Sequence, residues 1–120
     1  GNAADFGDLA NTPTKSAAVG SSTRGVCCGG DSTNVIQYVT IASTGNATDF
    51  GDTSTNCEQM AGVSSSTRGV FGSVSNGQGV PMEYITISST GNSTNFGSLG
   101  TNTGAMASGS SATRGIFANV

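Results

Sequence analysis

Residues Gly45–Gly69, GNATDFGDTSTNCEQMAGVSSSTRG, decide the fold, because the same pattern occurs three times in the chain. The first copy is Gly1–Gly25, GNAADFGDLANTPTKSAAVGSSTRG, and the third is Gly91–Gly115, GNSTNFGSLGTNTGAMASGSSATRG. The copies align without a gap, and Gly, Asn, Phe, Ala and Arg recur at fixed positions. Such repeats predict an architecture assembled from equivalent units.

The distance from one Gly-Asn pair to the next is 44 and then 46 residues, which divides the chain into units 1–44, 45–90 and 91–120, the last one partial. Each unit is predicted to hold four short antiparallel strands separated by glycine-rich turns. Solenoid coils are shorter, and the periodicity of helical repeats is absent. A four-stranded unit of about 45 residues has the size of a β-propeller blade.

In the first unit the predicted strands are Ala4–Leu9, Ser16–Ser21, the apolar stretch that begins at Val26, and Ile36–Thr44. The last of these and its copy, Met82–Thr90, give the strongest strand signals, because β-branched and aromatic residues favour strands. Both faces of this strand are partly apolar, which predicts that it is covered on both sides.

Composition narrows the classes of protein to which the chain can belong. Its 120 residues include 19 Gly, only 9% charged residues and no His or Trp, and the net charge is −3. Nucleic-acid binding needs a basic face, which four Lys and Arg residues do not supply. No apolar run approaches the roughly 18 residues that span a bilayer. We therefore expect a single all-β domain with no nucleic-acid partner, no membrane insertion and no cofactor.

Cys27 and Cys28 are adjacent in the first unit, and Cys57 lies in the second unit. One of the first two can bridge to Cys57 if their Cα atoms lie within about 7 Å. Other copies replace these cysteines with other residues, so the framework does not depend on sulfur. A structural role is favoured over a redox or metal role, since three Cys without His form a poor metal set.

Several features of the units resemble kelch repeats. Cys28-Gly29-Gly30 stands where a kelch strand ends in two glycines, and Tyr38 and Tyr84 match the central Tyr of the following strand. The other units depart from the double glycine, with Phe71-Gly72-Ser73 and Phe117-Ala118 at that position. Kelch repeats usually carry Trp where this chain has an aromatic after a turn, at Phe6, Phe50 and Phe96.

The phrases YVTIASTGNATDFGD and SSSTRGVFG also resemble repeats in tail-associated and fibre-like bacteriophage proteins. The resemblance implies kelch-like β-propeller blades, an extracellular or virion location, and a structural or adhesive role. A propeller needs at least four blades, so the missing blades are expected from a longer parent chain or from other copies. The chain begins at Gly1 rather than Met, which indicates a processed or longer parent protein. We expect that it is not an isolated monomer.

The repeated acids and arginines are the first candidates for chemistry. The pairs Asp5/Asp8 and Asp49/Asp52 can belong to a Ca²⁺ site or to solvated turns, and the third copy replaces them with Asn95 and Ser98, which favours the turns. The Arg of each Thr-Arg-Gly triplet is predicted to bridge adjacent strands through a carbonyl or carboxylate, since its five donors suit such a bridge. These arginines are Arg24, Arg68 and Arg114.

Asn46 and Asn92 lie in N-glycosylation sequons, but each is also explained by the Gly-Asn turn. Without His, the usual general base is missing, so we expect no enzyme activity.

The sequence predicts a structural and binding module of a phage tail fibre or virion appendage that presents loops to cell-surface glycans. One alternative is a subunit of an extracellular filament or adhesin that assembles by β-edge pairing. Another is an intracellular scaffold that binds proteins. The candidate binding loops are Gly30–Asn34 and Ser73–Gly79, where the units differ in length. Their candidate residues are Gly30, Asp31, Ser32, Thr33, Asn34, Ser75, Asn76 and Gln78.

Overall fold

A computed structural model describes residues 1–30, 33–74, 80–100 and 106–119. These residues form an all-β, antiparallel structure, which confirms the predicted fold class at that level. The strands are β1 (Ala17–Gly20), β2 (Arg24–Cys28), β3 (Thr33–Thr40), β4 (Thr48–Ser64), β5 (Arg68–Val74), β6 (Val80–Thr86), β7 (Thr94–Leu99), β8 (Met106–Ser110) and β9 (Gly115–Asn119).

The strands β1 to β7 follow one another as neighbours in a seven-stranded sheet, and β8 and β9 form a separate hairpin. Among the described residues the large sheet does not close, and β1 and β7 are its edges. The long strand β4 belongs to two parts of the sheet. Its first part, up to Cys57, pairs with β3, and its second part, from Glu58, pairs with β5.

We call β1, β2, β3 and residues 48–57 the first half-sheet, and residues 58–64 with β5, β6 and β7 the second half-sheet. The register of β4 shifts between Glu58 and Ala61, and Gln59 lies there with a positive φ of 51°. A β-bulge bends a strand and increases its local twist. This irregularity allows one continuous strand to pass from the first half-sheet to the second.

The second half-sheet packs against the first with β1 lying on β4 and β5. The side chain of Val19 fits into a depression above Gly62 and Gly69, where added Cβ atoms would lie 2.8 and 2.6 Å from its methyl carbons. The β8–β9 hairpin packs on the second half-sheet in the same way, since a Cβ on Gly115 would lie 2.6 Å from Cγ2 of Val63. Gly69 and Gly115, in the second and third Thr-Arg-Gly triplets, thus leave space for a valine of the preceding unit.

Hydrogen bonds between units repeat as well. Gly45 N–H donates to the Phe6 carbonyl at 2.8 Å, and Gly91 N–H donates to the Phe50 carbonyl at 2.7 Å. At these contacts the backbones approach so closely that a Cβ on Gly51 would overlap the carbonyl of Gly91. With a φ of 151°, Gly51 also has a backbone conformation that other residues rarely adopt. Gly7 and Gly51, which follow Phe6 and Phe50, are therefore required for the next unit to dock.

Three strand predictions differ from the structure. In the second unit the counterparts of Ala4–Leu9 and Ser16–Ser21 are joined in the single strand β4. Ala4–Leu9 contains no strand, whereas its counterparts in later units lie in β4 and β7. Those counterparts pair with β3 and β6 of the preceding unit, and no described strand takes that place beside the first copy. The strand predicted over Ile36–Thr44 ends at Thr40, because the chain turns at residues 41–43.

Candidate functional site

A groove of about 670 Å³ lies between the second half-sheet and the β8–β9 hairpin. We call it the β5–β9 groove. Val63, Val70, Met82 and Phe96 line one wall and Phe117 lines the other. Arg68 and Arg114 also line it. The groove therefore combines apolar walls with two permanent positive charges.

The same space is filled between the two half-sheets. The counterparts of the apolar wall one unit earlier are Val19, Val26, Ile36 and Phe50, and all four are buried in the hydrophobic core. We call this contact the closed interface and the one that contains the groove the open interface. Phe50 is 3% exposed in the closed interface, whereas its counterpart Phe96 is 51% exposed in the open one.

Two isoleucines at the end of the β6 region account for this difference. Ile85 and Ile87 are 3% and 1% exposed and belong to the same core cluster as Val19 and Phe50. Both belong to the second half-sheet region and pack over the apolar face of the first half-sheet. No described residue of the third unit occupies the corresponding place on the second half-sheet, and the groove is the space that remains.

Each repeated arginine of the first two units lies over the tyrosine of its own half-sheet. The guanidinium carbon of Arg24 is 4.4 Å from the ring centre of Tyr38, and that of Arg68 is 4.3 Å from the ring centre of Tyr84. Arg24 Nη1 also donates a 2.9 Å hydrogen bond to the carbonyl of Ile87, so it joins the two half-sheets. Arg68 makes the same ring contact, but its side chain borders the groove.

The repeated aromatic residues differ in burial according to what covers them. Phe50 and Phe96 each meet a tyrosine edge to face, with ring centres 5.9 Å from Tyr38 and 6.2 Å from Tyr84. Only Phe50 is buried, while Phe6 and Phe96 are exposed. Phe50 is thus buried because the second half-sheet covers it.

A buried carboxylate lies next to the closed interface. Glu83 is 6% exposed and accepts hydrogen bonds from the backbone N–H and the hydroxyl of Ser54 and from the hydroxyl of Ser93. Its counterpart Gln37 is also buried, and it accepts a 2.7 Å hydrogen bond from the N–H of Ala10 and donates one to Asn11. Gln37 and Glu83 each bind the backbone N–H at the same repeat position of their own unit, Ala10 and Ser54, which indicates a structural role.

The candidate loop residues lie only partly within the described structure. Gly30 is buried, its N–H donates to the Cys57 carbonyl at 3.1 Å, and its φ is 103°. Thr33 and Asn34 are half-buried and belong to β3. The remaining candidates lie outside the described residues: Asp31, Ser32, Ser75, Asn76 and Gln78. The two connections leave corresponding ends of the two half-sheets.

The repeated acids and asparagines surround the contacts between units. The side chains of Asp5, Asp8, Asp49 and Asp52 are exposed. The side-chain oxygens of Asn46 and Asn92 accept 3.0 Å hydrogen bonds from the backbone N–H groups of Asp8 and Asp52. Within the described ranges, no group of three or more His, Cys, Asp or Glu side chains is arranged to hold a metal ion.

The three thiols are free, and two of them are buried between the half-sheets. Burial, and then the nearby Cys57, Cys27 and Glu83 side chains, raise the pKa of the Cys28 thiol well above its ordinary value of 9.0. Cys57 donates to the carbonyl of Thr55 at 3.1 Å. Since the thiolate is the reactive form, Cys28 is an unreactive core residue at neutral pH.

The sequence predictions did not include the β5–β9 groove. Among the described residues there is no helix of the length and apolar character that a membrane crossing requires. Comparisons with protein-family models, with curated proteins and with solved structures find no match for the chain.

Proposed function

We propose that the chain is a structural and binding module built from stacked, kelch-like β-propeller blades. The observation that carries the proposal is that the two interfaces use the same contacts. Val19 lies over Gly69 as Val63 lies over Gly115, and Gly20 N–H donates to the Ser64 hydroxyl as Ser64 N–H donates to that of Ser110. An interface that repeats in this way extends a rigid scaffold.

The module is proposed to belong to a phage tail fibre or a similar virion appendage and to present its loops to cell-surface glycans. The resemblance to phage fibre repeats supports the setting. The binding role is supported by the β2–β3 and β5–β6 connections, which differ in length between units and leave corresponding ends of the half-sheets. Connections of this kind vary without disturbing the scaffold that positions them.

Binding of the intact chain to immobilised bacterial lipopolysaccharides and capsular polysaccharides tests the proposal. We expect binding that weakens in the loop variants Asn76→Ala and Gln78→Ala and is unchanged in Ser88→Ala, which alters an exposed residue of the turn after β6. If no polysaccharide binds, or if the loop variants bind as well as the parent, the glycan-binding role is wrong.

A second candidate is a self-assembling subunit of an extracellular filament or adhesin. It is favoured by the exposed Val39–Ile41 surface of the first half-sheet, where Ile41 is 49% exposed although its counterpart Ile87 is buried. Electron microscopy of the purified chain distinguishes the candidates, because a filament subunit forms linear polymers and a propeller module forms compact particles.

A further inference from the structure

We infer that a second copy of this chain docks through its Gly1-Asn2 pair onto residues 96–98 of β7, so that copies associate head to tail. We call residues 96–98 the acceptor segment. The inference rests on the stacking of units in the proposed function and not on glycan binding. It follows from a contact that the chain makes twice between its own units, and for which a third acceptor and a further Gly-Asn pair are available.

The contact joins a Gly-Asn pair to the segment that follows the Phe of the preceding unit. Gly45 N–H donates to the Phe6 carbonyl at 2.8 Å. Ala47 N–H donates to the Asp8 carbonyl at 2.8 Å, and Asp8 N–H donates to the side-chain oxygen of Asn46 at 3.0 Å. Three hydrogen bonds therefore fix the position of one unit on the unit before it.

The same three bonds recur one unit later. Gly91 N–H donates to the Phe50 carbonyl at 2.7 Å. Ser93 N–H donates to the Asp52 carbonyl at 3.0 Å, and Asp52 N–H donates to the side-chain oxygen of Asn92 at 3.0 Å. The contact thus belongs to the repeat and not to one particular pair of units.

The acceptor segment of the third unit is vacant among the described residues. A Cβ on Gly7 or Gly51 would overlap the carbonyl of the docked glycine, because the next unit lies directly against it. Gly97 has a φ of 148°, close to the 144° and 151° of these two counterparts. The one described atom within 4 Å of its Cβ position is Cε of Met82, at 3.7 Å. The backbone of β7 therefore has the docking conformation without a docked partner in the described structure.

The Gly1-Asn2 pair of a second copy fits this place. It has the sequence of the two docked pairs, and the side chains of Asn2 and Ala3 are exposed. In the register of the two internal contacts, the Gly1 nitrogen meets the Phe96 carbonyl. The side-chain oxygen of Asn2 then accepts from Ser98 N–H, as that of Asn92 does from Asp52 N–H.

The same placement brings together two exposed apolar side chains from opposite ends of the stack. Ile41, next to β3, is 49% exposed, and Ile116 of β9 is 65% exposed. Their counterparts, Ile87 and Val26, are buried in one core cluster at the closed interface. Ile41 of the second copy would cover Ile116 as Ile87 covers Val26, and this burial supplies a driving force for association.

An arginine bond of the closed interface extends the match. Arg24 donates to the carbonyl of Ile87 at 2.9 Å. Arg114 is the counterpart of Arg24 and is exposed, and in the assembly it would donate to the carbonyl of Ile41 of the second copy. Because the two docking surfaces differ, the interface is heterologous and can repeat from copy to copy.

Sedimentation velocity of the 120-residue chain over a series of concentrations tests the inference. We expect a sedimentation coefficient that rises with concentration as the chain associates. Asn2→Ala should weaken the association about two- to tenfold, because Ser98 N–H loses its acceptor. Gly97→Ala should weaken it by at least about tenfold, because the new Cβ takes the place of the incoming glycine carbonyl.

A mixture of the two variants isolates this interface, because each variant retains one of the two surfaces. The intact acceptor segment of Asn2→Ala should bind the intact pair of Gly97→Ala with the affinity of the parent chain, and the mixture should form dimers and no larger species. The matched control is Asn56→Ala, which changes an exposed asparagine of β4 outside both surfaces and should leave the association unchanged.

A chain that stays monomeric at every concentration would overturn the inference, and so would association that Asn2→Ala and Gly97→Ala leave unchanged. Far-ultraviolet circular dichroism checks that both variants fold. If Gly97→Ala does not fold, Asn2→Ala decides alone, since it changes an exposed residue. Glycan binding by a monomeric chain would contradict head-to-tail docking only, and self-association without glycan binding would contradict the glycan-binding role only.

Discussion

The closed and the open interface present the same surface of two successive half-sheets, but only one of the two surfaces is covered. In the closed interface Phe50, Val26 and Ile36 are buried beneath Ile85 and Ile87. In the open interface the counterparts of these three residues line a groove. Residues at the same position of the repeat thus contribute differently to the free energy of unfolding, because their burial depends on the unit that follows.

The largest expected difference concerns the phenylalanines. Phe50→Ala should lower the free energy of unfolding by about 3–5 kcal/mol, because it leaves a cavity in a packed core. Phe96→Ala should cost about 1 kcal/mol, since half of that ring is already in water. Urea denaturation of the two variants measures the difference. Equal losses would mean that the open interface is covered in solution.

The glycines of the Thr-Arg-Gly triplets give the next largest effect. Gly69→Ala should lower the free energy of unfolding by about 1–3 kcal/mol, because the new Cβ lies 2.6 Å from Cγ2 of Val19 and forces the half-sheets apart. The matched control is Gly25→Ala, whose Cβ meets only Cγ2 of Val39 at 3.5 Å. Thermal unfolding should separate the two variants, and similar midpoints would contradict the close packing of the units.

The arginines should differ more modestly. Arg24→Lys loses both the ring contact with Tyr38 and the geometry of the bond to the Ile87 carbonyl, and we expect a loss of about 1–2 kcal/mol. Arg68→Lys loses the ring contact alone and should cost about 0.5–1 kcal/mol. Urea midpoints measure both. A larger loss of stability for Arg68→Lys than for Arg24→Lys would show that Arg68 makes a stabilising contact besides the one with Tyr84.

The smallest effect at neutral pH is expected at Cys28, whose counterpart in the open interface is Gly72. The folded thiol keeps its proton above pH 9.0, whereas the unfolded thiol loses it. Unfolding then releases a proton, so the free energy of unfolding falls by up to about 1.4 kcal/mol per pH unit above that value and is unaffected below it. Urea titrations from pH 7 to pH 10 should show a steeper alkaline decline for the parent than for Cys28→Ala. Parallel declines would contradict the assignment.

Much of the local structure could be predicted, because it depends on short-range chemistry. β-Branched and aromatic residues indicated β3 and β6, and the small-residue stretch indicated β1, where Val19 needs glycines opposite it. The single strand β4 was not predicted. The sequence predicts its two parts as separate strands. They are joined through the irregularity at Gln59, and no strong sequence signal marks that position.

The candidate site was the less predictable part. The phenylalanines, tyrosines and arginines were singled out as repeated residues. Tyr38 and Phe50 meet across a unit boundary, and Arg24 binds the carbonyl of Ile87 in the next unit. The groove was missed because it lies on a surface that only the stacking of the half-sheets identifies. The buried side chains of Gln37 and Glu83 were also missed, since polar residues in a strand give no sign of the distant backbone N–H groups that they bind.

The sequence by itself determined that the chain is an all-β array of repeated units, because glycine, asparagine and β-branched residues act on the backbone within a few residues of themselves. Only the tertiary structure decided which copy of each residue is buried. Burial requires a covering surface from another unit, and the hydrophobic free energy follows the area removed from water rather than the residue type. Phe50 and Phe96 are the same residue in the same repeat, and the presence of Ile85 and Ile87 over only one of them makes the difference.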